Sequence, residues 1–461
     1  MPQSRATYNR SRQHRSYAGA GFRSVPGWLW MLGLFAVLII LQGAFRKWWL
    51  PGLATPLYVA KDVALIGAVV LLGMRRSLRL STPIKRTFLP VVWGSFAIIV
   101  IAQAFNFNFP TLIGSAVGIR SYLLYSVLLV LMPVAMEHIR RSERWVIAIA
   151  LGVIVPVLLL GMYQYSQPLE AWINQYVRDD QQLAAVAGRP RITGTFSYVG
   201  GMGAFLTFSL LFGLATTLAG LLHKHRWYKW IGIAVFGLAI IVAPMNGSRG
   251  VVLGALVPLP FVLYALFKGR RGATAIVGLS VLLLLTGYAI GQSSWASEGW
   301  ANLEERATTA SDRDTRVTSM LADPVKKLSV GGFWGYGTGA THQGAGSLAP
   351  GGRVNIPGVY YEGEFGRVII ELGVVGGLLY FIFKLLLAWI AWQALKRANS
   401  AWHTLLAVLT FSVVFLPVVS GMIVFNHVNG AIYWLCAGIA VWLWSKQEVY
   451  LRHHRTTHLA K

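Results

Sequence analysis

The chain has 461 residues, of which 12% are charged and 55% hydrophobic, with a mean hydropathy of +0.56 and a formal net charge of +25. Soluble proteins are about 25% charged, so this composition excludes an ordinary soluble enzyme and a disordered chain alike. The basic excess alone would suit nucleic acid, but nucleic-acid-binding domains do not carry this much apolar sequence, which leaves a membrane. Cys436 is the single cysteine, which excludes an intrachain disulfide and any cysteine-rich metal site.

A basic tail, residues 1–26, precedes the first apolar run. About 20 consecutive apolar residues cross a bilayer as a helix. Twelve such stretches are predicted, at about 27–45, 57–74, 88–105, 113–136, 145–165, 197–222, 230–245, 250–267, 273–292, 367–390, 403–425 and 430–445. Nine of them fall in residues 27–292 and three in 367–445, and a second tail follows at 446–461. The first run is too long for a cleaved signal peptide and is followed by no small-residue cleavage site. Continuous apolar runs of this length leave no room for the period-2 alternation of a membrane barrel. The expected fold is therefore an all-α integral membrane protein.

Basic residues then orient the chain. They cluster in the N-terminal tail, at 75–86, 140–144, 224–229, 268–271 and 396–397, and in the C-terminal tail. Together these segments hold 25 lysines and arginines against Glu137, Glu143 and Glu448. With twelve alternating spans they all fall on one face, so both termini are expected in the cytoplasm. The other face receives two long loops, 166–196 and 293–366, which hold eleven of the sixteen acidic residues. The second loop is too long for a simple connector, and its stretch 331–358 is rich in glycine. It is expected to form a small, partly ordered subdomain over the membrane.

The topology rule has no use for basic residues on the outer side, yet Arg46, Lys47, Lys61, Arg120, Arg191, Arg249 and Arg367 lie near the outer ends of spans. Ionisable groups inside a span face a bundle interior or a watery cavity. Lys61 has Asp62 beside it, and that neighbour is its expected partner. Lys384, near the inner end of its span, is expected to snorkel. Several outer arginines meeting at one pocket would present planar donor forks suited to phosphate or carboxylate. Arg249 adds the backbone N–H groups of a helix start, since it sits in the turn Asn246-Gly247-Ser248-Arg249-Gly250. Arg120, Arg191 and Arg249 are thus the candidate anion-binding residues.

Glu362 and Glu364 stand just before the tenth span. A carboxylate at a partly desolvated membrane entrance can act as a general base, and the bland alternative is charge compensation of Arg353 or Arg367. His342, in the glycine-rich run, is a possible proton carrier. No P-loop and no His-Glu-x-x-His sequence occurs, and only His342 and His427 are expected on the outer face. Neither a metal nor a cofactor is therefore expected.

Four segments, in order, resemble the bacterial O-antigen ligase and O-antigen polymerase superfamily of inner-membrane proteins. They are Gly188-Arg189-Pro190-Arg191-Ile192-Thr193-Gly194-Thr195-Phe196-Ser197, the Ser248-Arg249-Gly250 turn, Arg316-Val317-Thr318-Ser319-Met320 leading to Gly335-Tyr336-Gly337-Thr338-Gly339, and Glu371-Leu372-Gly373-Val374-Val375-Gly376-Gly377. The resemblance covers about residues 90–445. It implies a fold of the membrane glycosyltransferase C type in the bacterial inner membrane, with the large periplasmic loop between helices nine and ten. It also implies a glycan on undecaprenyl diphosphate as donor, a glycan or lipid acceptor, and polysaccharide assembly or export proteins as possible partners. Arg191 and Arg249, with Arg120 as a third member, would hold the diphosphate, and Arg316 and Arg367 are possible additions. Ligases of the family place a histidine eleven residues before the glycine of Glu-Leu-Gly, and here that position is Glu362. The base is then Glu362, or His342 from a shifted loop, and the departure favours a polymerase over a ligase. Arg189 and Gly200 also fit the arginine-to-glycine spacing of the polymerases. The rival expectation from another class is a secondary transporter or flippase for an anionic solute or glycolipid, which twelve spans suit equally well.

Overall fold

The computed structural model describes residues 25–75, 80–109, 111–139, 142–177, 185–186, 188–267, 325–342, 345, 356 and 363–459. These are α-helical, apart from 3-10 and π turns and a two-residue ribbon that pairs Ala185–Val186 with Arg189–Pro190. Eleven apolar helices follow one another: α1 (Gly27–Trp49), α2 (Pro51–Met74), α3 (Leu89–Gln103), α4 (Leu112–Met136), α5 (Glu143–Ser166), α6 (Val199–Leu222), α7 (Arg226–Asn246), α8 (Gly250–Ala265), α9 (Glu364–Lys396), α10 (Ala401–Val419) and α11 (His427–Arg452). Among the described residues nine of them are long and apolar enough to cross a membrane, while α3 and α8 are shorter. The chain is a multi-pass membrane protein. Each helix lies on an apolar stretch read from the sequence. The stretch at 273–292, the loop segment 293–324 and most of the N-terminal tail lie outside the described residues.

Without a hydrophobic drive between helices in lipid, close approach depends on small residues. Helices α6 and α7 use three. A Cβ on Gly213 would stand 2.6 Å from the Phe236 nitrogen, one on Gly220 2.3 Å from Lys229, and one on Gly232 2.4 Å from Thr217. The result is an antiparallel pair in near backbone contact. Helix α4 is interrupted by a 3-10 turn at Leu124–Val127, just below Arg120. Beyond α11 the helix runs on to Leu459, so the first part of the expected C-terminal tail is helical.

Helix α9 departs most from the sequence expectation. A continuous span from residue 367 was expected, but the helix is broken at Gly373, whose φ of 70° and ψ of −175° only glycine adopts readily. A straight helix would separate Glu364 from Lys384 by about 30 Å. Instead Lys384 Nζ lies 3.4 Å from Glu364 Oε1, and the Phe365 ring packs 5.8 Å from Tyr380 and 5.2 Å from Phe381. The segments on either side of Gly373 therefore fold back on each other as two arms, 364–372 and 374–396. Lys384 does not snorkel: it is 1% exposed and paired with Glu364, because the returning arm brings a carboxylate to its depth.

Candidate functional site

The glycine-rich run after residue 330 closes over the break in α9. The backbone N–H groups of Tyr336 and Gly337 donate to the carbonyls of Ile370 and Glu371, at 2.7 and 3.0 Å, and Val374 donates to Gly332 at 3.3 Å. These contacts satisfy groups that the broken helix leaves without intrahelical partners. A Cβ on Gly373 would fall 2.1 Å from the Phe333 carbonyl oxygen, and one on Gly339 2.5 Å from that of Gly114, so the approach requires glycine on both sides. Below the break the fully buried Glu371 carboxylate accepts from Gly339 N at 2.9 Å, Thr341 N at 2.8 Å and Thr341 Oγ1 at 2.6 Å. Arg367, also buried, donates to Thr341 Oγ1 at 3.2 Å and to the Thr341 carbonyl at 2.5 Å, with its guanidinium 3.5 Å over the Phe425 ring. This network holds His342 beside the membrane helices. Burial, with Arg120 and Arg367 in electrostatic reach, pushes the His342 imidazolium below its ordinary pKa of 6.5, so the ring is neutral at pH 7.

A second group of side chains gathers around Tyr58 on α2. Tyr58, Lys61 and Asp62 share one helix face by their i, i+3, i+4 spacing. Arg120 on α4 donates from Nε to Asp62 Oδ2 at 2.7 Å and from Nη1 to Tyr58 Oη at 3.1 Å. Tyr125 also donates to Asp62, at 3.3 Å. The Tyr58 hydroxyl lies 2.5 Å from Nε2 of His427, the first residue of α11, and Arg120 Nη1 lies 3.5 Å from the same nitrogen. Three cations surround the Tyr58 ring: Lys61 Nζ at 4.0 Å, the Arg120 guanidinium at 4.7 Å and that of Arg46 at 5.2 Å. Their described partners include one carboxylate, Asp62. Arg46 Nε and Arg120 Nη2 are buried and have no hydrogen-bond partner among the described residues. Buried donors of this kind cost stability unless something accepts from them.

The segment 191–197 links this cluster to the turn that starts α8. Gln164 Oε1 accepts from Thr193 N and Gly194 N, at 3.2 and 2.7 Å. Buried Lys47 donates to Thr193 Oγ1 at 2.9 Å and to the Gly194 carbonyl at 2.8 Å. At one end Arg46 Nη1 donates to Ser197 Oγ at 3.1 Å. At the other, Arg191 Nε donates to the Asn246 carbonyl at 2.8 Å, and the Asn246 amide returns bonds of 3.0 Å to the carbonyls of Ile192 and Val199. Gly247, in the left-handed region at φ 66°, then turns the chain so that a helix begins at Arg249. Arg191 and the Arg249 backbone thus flank one turn, and six residues separate Arg191 from the Tyr58 cluster.

Of the residues singled out in the sequence, Arg120, His342 and Arg367 come together in one electrostatic neighbourhood, and Arg191 bonds the turn before α8 at the far end of the segment 191–197. Glu362, Arg316 and the Arg249 side chain lie outside the described residues. Glu364 has its own partners: its oxygens accept from Tyr380 Oη and Ile423 N, both at 2.5 Å, from Val424 N at 2.8 Å and from Lys384. These contacts anchor the α9 hairpin to the α10–α11 connection. Asp62 answers Arg120 across the bundle, while Lys61 Nζ donates to the Tyr58 carbonyl. Sequence reasoning missed Tyr58, because a tyrosine at the end of an apolar run looks like an interfacial residue, and it placed His427 on the outer face without giving it a role. Among the described residues no three histidine, cysteine, aspartate or glutamate side chains stand close enough to hold a metal ion. Compared with known proteins, the chain matches no family model and no curated protein.

Proposed function

We propose that the protein is a membrane glycosyltransferase that moves a glycan from undecaprenyl diphosphate to an acceptor hydroxyl at the outer face of the bacterial inner membrane, building an O-antigen or an exopolysaccharide. The observation that carries this reading is the buried, cation-rich cluster: Arg46, Lys61 and Arg120 come from three helices around Tyr58, and among the described residues one carboxylate answers them and two buried guanidinium nitrogens have no acceptor. A diphosphate supplies both the missing charge and the missing acceptors. Arg191, which bonds the Asn246 carbonyl at the turn before α8, is the further candidate contact to the diphosphate. In the reaction the acceptor oxygen attacks the anomeric carbon, the bond from that carbon to the phosphate oxygen breaks, and negative charge grows on the departing diphosphate. Guanidinium groups already fixed in place stabilise that charge without a metal. His342, neutral at pH 7, is the group suited to receive the acceptor's proton.

Cells lacking the protein should lose polymer, or its attachment, and accumulate lipid-linked repeat units. In complementation, Arg191→Ala and Arg120→Lys should express normally and lower product about 100-fold, as loss of one preorganised donor does. Unchanged polymer in the deletion strain would exclude the reading. One observation favours the rival transporter: α9 is a discontinuous helix beside buried charge, a feature of transporter binding sites. Uptake of an anionic solute by proteoliposomes, without turnover of a lipid-linked donor, would favour that rival.

A further inference from the structure

An arginine beside a carboxylate commonly closes on it as a fork, two parallel N–H groups meeting two oxygens. One such fork uses Nε and Nη2 together, because their N–H bonds point the same way along one edge of the guanidinium. Arg120 and Asp62 make only half of it. Nε donates to Asp62 Oδ2 at 2.7 Å, while Nη2, enclosed by protein, has no partner among the described residues. The oxygen that would complete the fork, Asp62 Oδ1, accepts from the Tyr125 hydroxyl at 3.3 Å instead. Asp62 and Tyr125 are 3% and 4% exposed, so the carboxylate is turned by a protein partner and not by solvent.

The other side of the guanidinium is held as well. Nη1 donates to Tyr58 Oη at 3.1 Å. Having accepted there, the Tyr58 hydroxyl has one proton to give, and His427 Nε2, 2.5 Å away, takes it. Arg120 Nη1 faces the same nitrogen at 3.5 Å, and a guanidinium only donates, so Nε2 is the bare nitrogen of the ring. Two of the three Arg120 nitrogens are thus pinned, the plane of the group is fixed, and the third is left over. An open donor in buried surroundings costs stability that closing the fork would recover, and local rules are broken in this way at functional sites. The Arg120 side chain is 18% exposed, which puts it at the boundary of the buried cluster.

We propose that Tyr125 is a positioning residue of the donor site: by holding Asp62 Oδ1 it keeps the Arg120–Asp62 fork half open, and Nη2 is left for an oxygen of the diphosphate. This rests on the glycosyl-transfer reading and adds that a phosphate oxygen takes the place given up by the second carboxylate oxygen. Tyr125 acts through Asp62 and Arg120.

The test is calorimetric titration of the full chain in detergent with farnesyl diphosphate, a short polyprenyl diphosphate, beside thermal melts of the same samples. Tyr125→Phe frees Asp62 Oδ1 to close on Nη2. It should weaken binding about 10- to 100-fold, the worth of one hydrogen bond to a charged group, and leave the melting temperature unchanged or higher, because the ion pair becomes bidentate. In an Asp62→Ala background no carboxylate remains to close, and Tyr125→Phe should change binding by no more than about twofold. A tyrosine that only supports the fold would lower binding and melting temperature together in both backgrounds, and that result would overturn the proposal. Wild-type affinity in Tyr125→Phe would overturn it too, while loss of binding in Arg120→Ala would leave the diphosphate site standing. A wild type that binds no farnesyl diphosphate would remove both.

Discussion

Arg120 and Asp62 form an ion pair with side chains 18% and 5% exposed, and in such surroundings loss of one partner is costlier than loss of both. Removing one member leaves an uncompensated charge, at about 3–5 kcal/mol. Arg120→Ala is therefore expected to lower the unfolding midpoint in detergent strongly, and Arg120→Ala with Asp62→Ala to lower it by less than the sum of the single changes. Additive effects in thermal melts would contradict the pairing. His342 gives a second residue-level expectation. Its folded pKa lies below the ordinary 6.5, so the unfolded chain binds the proton more readily. Stability should be full above pH 6.5 and fall as the pH drops through the lower folded value. His342→Gln should flatten that part of the profile in melts taken between about pH 5 and 7.5. The sequence made Arg120 and Lys61 visible as charges inside apolar runs. It could not tell that Asp62 faces Arg120, fifty-eight positions away, because adjacent residues on a helix point about 100° apart and only packing of α2 against α4 selects which of the two meets it.

At the scale of elements, the α9 hairpin is the informative unit. The Glu371-Leu372-Gly373 segment stood out as a motif, but both arms are apolar, and periodicity does not distinguish a folded-back pair from one continuous helix. The break rests on a single backbone conformation, supported by the glycine-rich run and closed at its base by Glu364 and Lys384. Gly373→Ala should be severely destabilising, since its Cβ would combine a disallowed φ with a 2.1 Å clash against Phe333. Gly237→Ala, in α7 with nothing within 4 Å, is the matched control and should be neutral or gain up to about 1 kcal/mol. Similar melting points for the two variants would refute the broken-helix geometry.

Across the whole molecule, the apolar stretches were legible because length and hydropathy alone define them, and eleven reappear as helices. The clustering of basic residues in alternate connections and both tails implies an orientation that is open to direct measurement. Cys436 is buried, so single introduced cysteines report without background. Asn399→Cys, in the connection between α9 and α10, should label only after the cytoplasmic side is opened, and Asn108→Cys, between α3 and α4, should label from outside. The reverse pattern would invert the topology. The fold-back of α9 also bears on how the chain is made. Glu364 leaves the ribosome twenty residues before Lys384, so the carboxylate is already waiting when the ammonium reaches the insertion machinery. The contact between them can form only after both arms of the hairpin have been made, so the folding back of α9 follows the synthesis of Lys384.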